Sequence, residues 1–170
     1  MSQPQFWQDF QVLPVNRISF DRVIPPFSPD LILVNGFISR YLGADVVSLT
    51  FNGDNAANYY DATLALTAAG GALLTNTPDA NSNKIRLGLP TTKGRSFQLV
   101  IGCALGTTRL VLTDNQIGSG DIANPPIITT GSVGEWNNTT DPVKFLDFIT
   151  DTAHLMGAGS SLLCQFYGRG

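Results

Sequence analysis

Residues 96–105 alternate without a break between two kinds of side chain. Phe97, Leu99, Ile101, Cys103 and Leu105 fall on one side of an extended chain, and Ser96, Gln98, Val100, Gly102 and Ala104 on the other. A period of two marks a β-strand with one buried face, because successive side chains of an extended backbone point to opposite faces. The pattern returns at residues 84–89, where Ile85, Leu87 and Leu89 share a side, and near the end, where Leu162, Cys164 and Phe166 oppose Leu163 and Gln165. Residues 31–38 and 46–51 are apolar runs of strand length. Residues 109–113, 127–130 and 143–149 are further strand candidates. Turn-forming pairs separate these runs: Pro25-Pro26, Asn52-Gly53-Asp54, Gly70-Gly71, Lys93-Gly94, Asp114-Asn115, Gly118-Ser119-Gly120 and Pro125-Pro126. Their spacing suits an all-β sandwich.

Helices have little room in a chain with 17 glycines and 10 prolines. Residues 61–69 hold the one stretch rich in Ala and Leu, but Thr63, Leu64, Leu66 and Thr67 build no apolar stripe, so a strand is expected there as well. The expected architecture is all-β: a single antiparallel β-sandwich over residues 16–170, with less than ~15% helix. An extended N-terminal arm over residues 1–15 precedes it, carrying Phe6, Trp7 and Phe10 among polar residues.

Only 14% of the 170 residues are charged, against about 25% in a typical soluble domain. With 43% hydrophobic residues the chain can bury a full core, and its remaining surface is rich in Ser, Thr, Asn and Gly. Such a neutral surface suits close contact with other subunits. A net charge of -3 without any basic stripe argues against nucleic-acid binding. No apolar run approaches the ~18 residues needed to cross a bilayer, so no membrane partner is expected. The start has no positive segment followed by an apolar one, so no secretory signal peptide is expected. Cys103 and Cys164 lie in strand-like runs and read as buried free thiols, with a disulfide between core strands as the alternative. Two cysteines and one histidine make no zinc site.

Candidate chemistry is sparse. Asn52, Gly53 and Asp54, with Tyr59 re-entering the sheet, read as a structural turn, because Asn-Gly favours positive φ. Asp54 with Asn52, Asn55 and Asn58 offers oxygen ligands, but such residues more often cap turns through their own backbone. Residues 79–83 mimic the start of a calcium loop, yet Lys84 and Pro90 stand where its glycine and glutamate belong, so a polar hairpin loop is expected. Gly118-Ser119-Gly120 has no following helix and is no phosphate cradle. His154 lies among Asp151, Ser160 and Ser161, too close in sequence to converge freely on a triad, and no Gly-x-Ser-x-Gly is present. Neither catalysis nor a metal nor a cofactor is expected, hence no enzyme. Trp7, Trp136, Tyr41, Tyr59 and Tyr60 sit near loops or strand ends. Phe6, Trp7, Phe10 and Trp136 are the candidate interface residues, favoured over sugar stacking.

Three segments resemble one family. They are Arg17-Ile18-Ser19-Phe20 through Ile24-Pro25-Pro26-Phe27 and on to Asp30-Leu31-Ile32-Leu33-Val34; Leu49-Thr50-Phe51-Asn52-Gly53-Asp54 with Asn58-Tyr59; and Met156-Gly157-Ala158-Gly159-Ser160-Ser161-Leu162 with Phe166-Tyr167-Gly168. In order and spacing they are similar to structural proteins of tailed-bacteriophage virions. Ser161-Leu162 departs from that pattern, where an arginine is common. The resemblance implies a jelly-roll-like β-sandwich that serves as a capsid decoration or head-associated subunit. Its partners would be other virion proteins and copies of itself, as a homo-oligomer, with a trimer as the form the resemblance implies. It would be made in the host cytoplasm and kept in the virion. The competing expectation is a tail or fibre module that recognises host-surface glycan.

Overall fold

The computed structural model describes residues 3–67, 73–75, 79–88, 90, 92–117 and 128–169. Leu89, Gly70-Gly71, Gly118-Ser119-Gly120 and Pro125-Pro126 lie outside these residues. The described elements are all strands: β1 (Pro4–Val12), β2 (Leu31–Ile38), β3 (Val47–Phe51), β4 (Tyr59–Thr67), β5 (Leu73–Thr75), β6 (Asp79–Ser82), β7 (Ile85–Arg86), β8 (Arg95–Gly102), β9 (Arg109–Ile117), β10 (Ile128–Trp136), β11 (Leu146–Thr150) and β12 (Ser161–Arg169). The fold is all-β and antiparallel, arranged as a sandwich. One layer is a large sheet in the order β1-β12-β2-β8-β9-β10-β4-β5, with β6 also on β4. The other is a small sheet in the order β11-β3-β7. Single bridges from Ser19 to Ile149 and from Val23 to Leu146 lay the segment before β2 along the free side of β11.

The core lies between the layers. Ile32, Val34 and Ile38 of β2, Phe97, Leu99 and Ile101 of β8, and Leu162, Cys164 and Phe166 of β12 all point inward. Leu49, Phe51, Leu146, Phe148 and Ile85 meet them from the small sheet. Gly134 lets β7 come close, since a Cβ there would run into the Ile85 side chain. The alternation read from the sequence is therefore the alternation of burial. Residues 61–69, expected as a strand despite their Ala and Leu, lie largely in β4.

Four expectations need correction. Leu105 is 61% exposed. β8 ends at Gly102, and Leu105 and Gly106 form a turn, with Gly106 at a φ of 82°, so the period of two stops before Leu105. Residues 79–82 are strand β6 paired with β4, and Asp114-Asn115 lie within β9, because in both places cross-strand pairing overrides the local turn preference of Asn and Asp. The N-terminal segment, read as an arm, is the edge strand of the large sheet. Nine residues pair one for one with β12, from Pro4 opposite Arg169 to Val12 opposite Ser161. Trp7 packs on Phe166 with ring centroids 5.2 Å apart. The segment escapes a hydropathy reading because its inner side is Trp7, Asp9 and Gln11, while Phe6, Phe10 and Val12 face out. Deleting residues 1–12 therefore removes a strand and strips Phe166 of its cover. Chemical denaturation should show a loss of about 2 kcal/mol; an unchanged midpoint would mean that β1 contributes nothing to the fold.

Candidate interaction surface

The outer side of the large sheet is the surface that the topology assembles from the most distant parts of the chain. Pairing registers place outward-facing residues in rows. One row runs Val12, Ser161, Phe37, Ser96. The next runs Phe10, Leu163, Asn35, Gln98. A third runs Gln8, Gln165, Leu33, Val100, Leu112, Val133, and a fourth begins Phe6, Tyr167, Leu31, Gly102. From β1 to β8 these rows contain apolar side chains, amides and hydroxyls, and no charge. Phe6, Phe10, Val12, Phe37, Val100, Leu112 and Val133 are each more than two-fifths exposed. Charge enters beyond β8, where Asp114 continues the second row opposite Gln98, and at the rim, where Arg169 pairs with Asp30 at 3.3 Å. Near β1 the face holds a depression of about 430 Å³ lined by Phe10, Phe37 and Leu163 together with Asn35, Ser96, Gln98 and Ser161.

The small sheet presents the opposite character. Arg22 grips Asp147 through Nε at 2.8 Å and covers the Phe145 ring at 4.0 Å. Lys84 meets Asp151 at 2.6 Å, and Arg86 meets the same carboxylate at 3.5 Å. Its charges are thus used among themselves. The small-sheet side sets ion pairs beside exposed apolar residues such as Ile24 and Ile149, whereas the large sheet from β1 to β8 leaves apolar area in water with no charge among it.

Of the candidate interface residues, Phe6 and Phe10 lie on the open face, and Trp7 lies half-buried beneath it. Trp136 is a correction. It is 1% exposed, at the end of β10, stacked on Phe51 with centroids 5.1 Å apart and planes 3° apart. Its indole N–H donates to Asp54 at 2.8 Å. A tryptophan flanked by Gly134, Glu135 and a polar run looks exposed in sequence, but the small sheet folds over it.

That bond ties Trp136 to the Asn52, Gly53, Asp54 turn. Asn52 and Gly53 have φ of 54° and 68°, and the Asp54 N–H donates to the Phe51 carbonyl at 2.9 Å. Burial pushes the Asp54 carboxyl up, but hydrogen bonds from Trp136, the Ala56 N–H and the Asn58 amide outweigh it and hold the group below its ordinary value. Tyr59, fully buried, donates from its hydroxyl to the Asp54 carbonyl at 3.1 Å and accepts from the Phe51 N–H at 3.0 Å. Asn52 clamps the approach to β11: its side-chain oxygen accepts from the Lys144 and Phe145 N–H groups, and its amide donates to the Pro142 carbonyl. Gly53→Val forces a β-branched residue into positive φ and should cost about 1–3 kcal/mol, read as a lower melting temperature. Millimolar calcium should leave the melting temperature unmoved, since protein donors already occupy Asp54; a clear rise would make the turn a metal site.

The histidine lies elsewhere. His154 Nδ1 is 2.9 Å from the Thr152 hydroxyl and 3.5 Å from Asp45. Asp151 is engaged by Lys84 and Arg86, and the Ser160 hydroxyl donates to the Gly157 carbonyl at 2.7 Å. Asp151, His154 and Ser160 are thus each engaged by other partners. Sequence reasoning missed Asp45 altogether. It is completely buried and accepts from the N–H groups of Val46, Thr152 and His154. An isolated aspartate between loop residues carries no pattern by which to find it. Cys103 and Cys164 are free and buried, and burial pushes the Cys103 thiol up to about 12. Among the described residues no group of three or more His, Cys, Asp or Glu is placed to hold a metal.

No protein-family model and no curated protein matches this chain. Among solved structures, the alginate lyase Aly36B in complex with alginate tetrasaccharide is similar at 9% identity over 94% of this chain and 78% of that one, with a TM-score of 0.29. A likeness that low carries no inference.

Proposed function

We propose that this chain is a structural subunit of a tailed-phage virion, a capsid decoration or head-associated protein that binds the particle through protein–protein contacts. The observation that supports this most is the outer face of the large sheet. Contiguous apolar area rimmed by polar groups marks contact surfaces, because a monomer gains nothing by keeping it in water. Absence of charge at the centre of the patch is the compositional mark of an interface core. The virion assignment itself comes from the three sequence segments that resemble phage structural proteins. Sedimentation of the purified protein with empty capsids tests the reading. Binding that is lost in Val100→Lys with Leu112→Lys supports it; no binding to capsids, necks or tails overturns it.

The depression beside Phe10 and Phe37 favours a second reading, a tail or fibre module for host-surface glycan. Aromatic faces with amides and hydroxyls, and no charge, suit a neutral sugar. A glycan array separates the two. Reproducible binding lost in Phe37→Ala favours recognition.

A further inference from the structure

We propose that β1 is the seam of a two-fold homodimer, pairing antiparallel with β1 of a second copy of this chain across Gln8. The proposal rests on the reading that this protein assembles through protein contacts, and it names the partner and the register. β1 ends the large sheet, and no described strand pairs with its other side. An edge strand bares a row of backbone N–H and C=O groups, and soluble proteins blunt such edges with lysine, proline, bulges or short length. Beyond Pro4 at its start and the inward-facing charge of Asp9, β1 carries no such device along its run. It is nine residues long, its register with β12 is unbroken, its only proline is at the first position, and it contains no lysine. Phe6 and Phe10, beside the bare edge, are 56% and 63% exposed.

The sequence of the strand says which partner fits. Read outward from Gln8, the residues are Trp7 and Asp9, Phe6 and Phe10, Gln5 and Gln11, Pro4 and Val12. Every pair but the first and last matches like with like. In an antiparallel pair centred on Gln8, each residue faces its mirror position in the other copy. Phe6 of each copy then lies opposite Phe10 of the other, on the outer side, with the two Gln8 amides between them. On the inner side Trp7 lies opposite Asp9, so the single negative charge of each strand never faces its twin. Aromatic cross-strand pairs stabilise a ladder, and like charges directly opposite would weaken it. A contact in which position i meets j and j meets i is isologous and closes at two copies. An unrelated strand would need no such symmetry. Pairing would also join two uncharged outer faces into one continuous sheet surface.

Analytical ultracentrifugation of the full chain tests this, with circular dichroism to verify folding. Wild type should be a dimer. Phe6→Lys with Phe10→Lys sets like charges opposite each other twice and should raise the dimer dissociation constant at least about tenfold. Phe6→Lys with Phe10→Glu sets opposite charges in those places and should recover most of the affinity. Both positions are exposed, so the fold of the subunit should survive. A monomeric wild type, a trimer, or association indifferent to both double variants overturns the proposal. Association lost instead in Val100→Lys with Leu112→Lys also overturns the seam, yet it leaves the assembly reading standing. A wild-type dimer that binds no capsid, neck or tail does the reverse: it supports the seam and removes the virion role.

Discussion

Trp136→Ala is expected to destabilise the protein by about 3–5 kcal/mol. The side chain fills the space where β10 meets β3, stacked on Phe51 and capped by the Asp54 carboxylate. Its removal leaves a cavity that two sheets cannot close by small shifts. It also costs Asp54 a donor, in a turn that holds the start of β4. Trp136→Phe keeps the stack but loses the N–H, and should cost only about 1 kcal/mol. Urea denaturation of the two variants separates packing from hydrogen bonding. If Trp136→Ala cost less than about 1 kcal/mol, Trp136 would be surface-mounted and the two sheets would not close over it.

Asp45→Ala should cost about 3 kcal/mol or more, since the N–H groups of Val46, Thr152 and His154 lose one shared acceptor, at about 1–3 kcal/mol for each that stays dry. Burial alone would raise the Asp45 pKa, but the Val46, His154 and Thr152 hydrogen bonds outweigh it and lower it from 3.8. Asp54 is lowered in the same sense. The sign follows. A carboxylate depressed in the folded state contributes stability that is fully present above its ordinary value and is lost as pH falls through that value toward the folded one. Stability should therefore fall below about pH 4. Asp45→Asn should start lower and show a flatter acid limb. A parallel acid limb in wild type and Asp45→Asn would mean that Asp45 is solvated.

The remaining question is what a single sequence could tell about such a molecule. β2 was legible to the residue, at 31–38, and the buried sets Phe97, Leu99, Ile101 and Leu162, Cys164, Phe166 were legible too. Alternation is a property of each strand alone, so the strand's own residues declare it. The positive φ at Gly53 was legible for the same reason, since an Asn-Gly pair states its backbone preference locally. Tertiary structure decided the rest. Trp136 looks like a loop aromatic until the small sheet covers it. Asp45 looks like a surface residue until three N–H groups from two loops converge on it. Residues 4–12 look like part of an arm because their apolar side faces away from the core, and only pairing with β12, at the far end of the chain, makes them a strand. The uncharged outer face is the same kind of fact. Its rows draw on β1, β12, β2 and β8, which are remote in sequence, and hydrogen-bonded register alone sets their residues side by side. Local pattern determined which residues turn inward; the non-local pairing of strands determined what the outward residues became together.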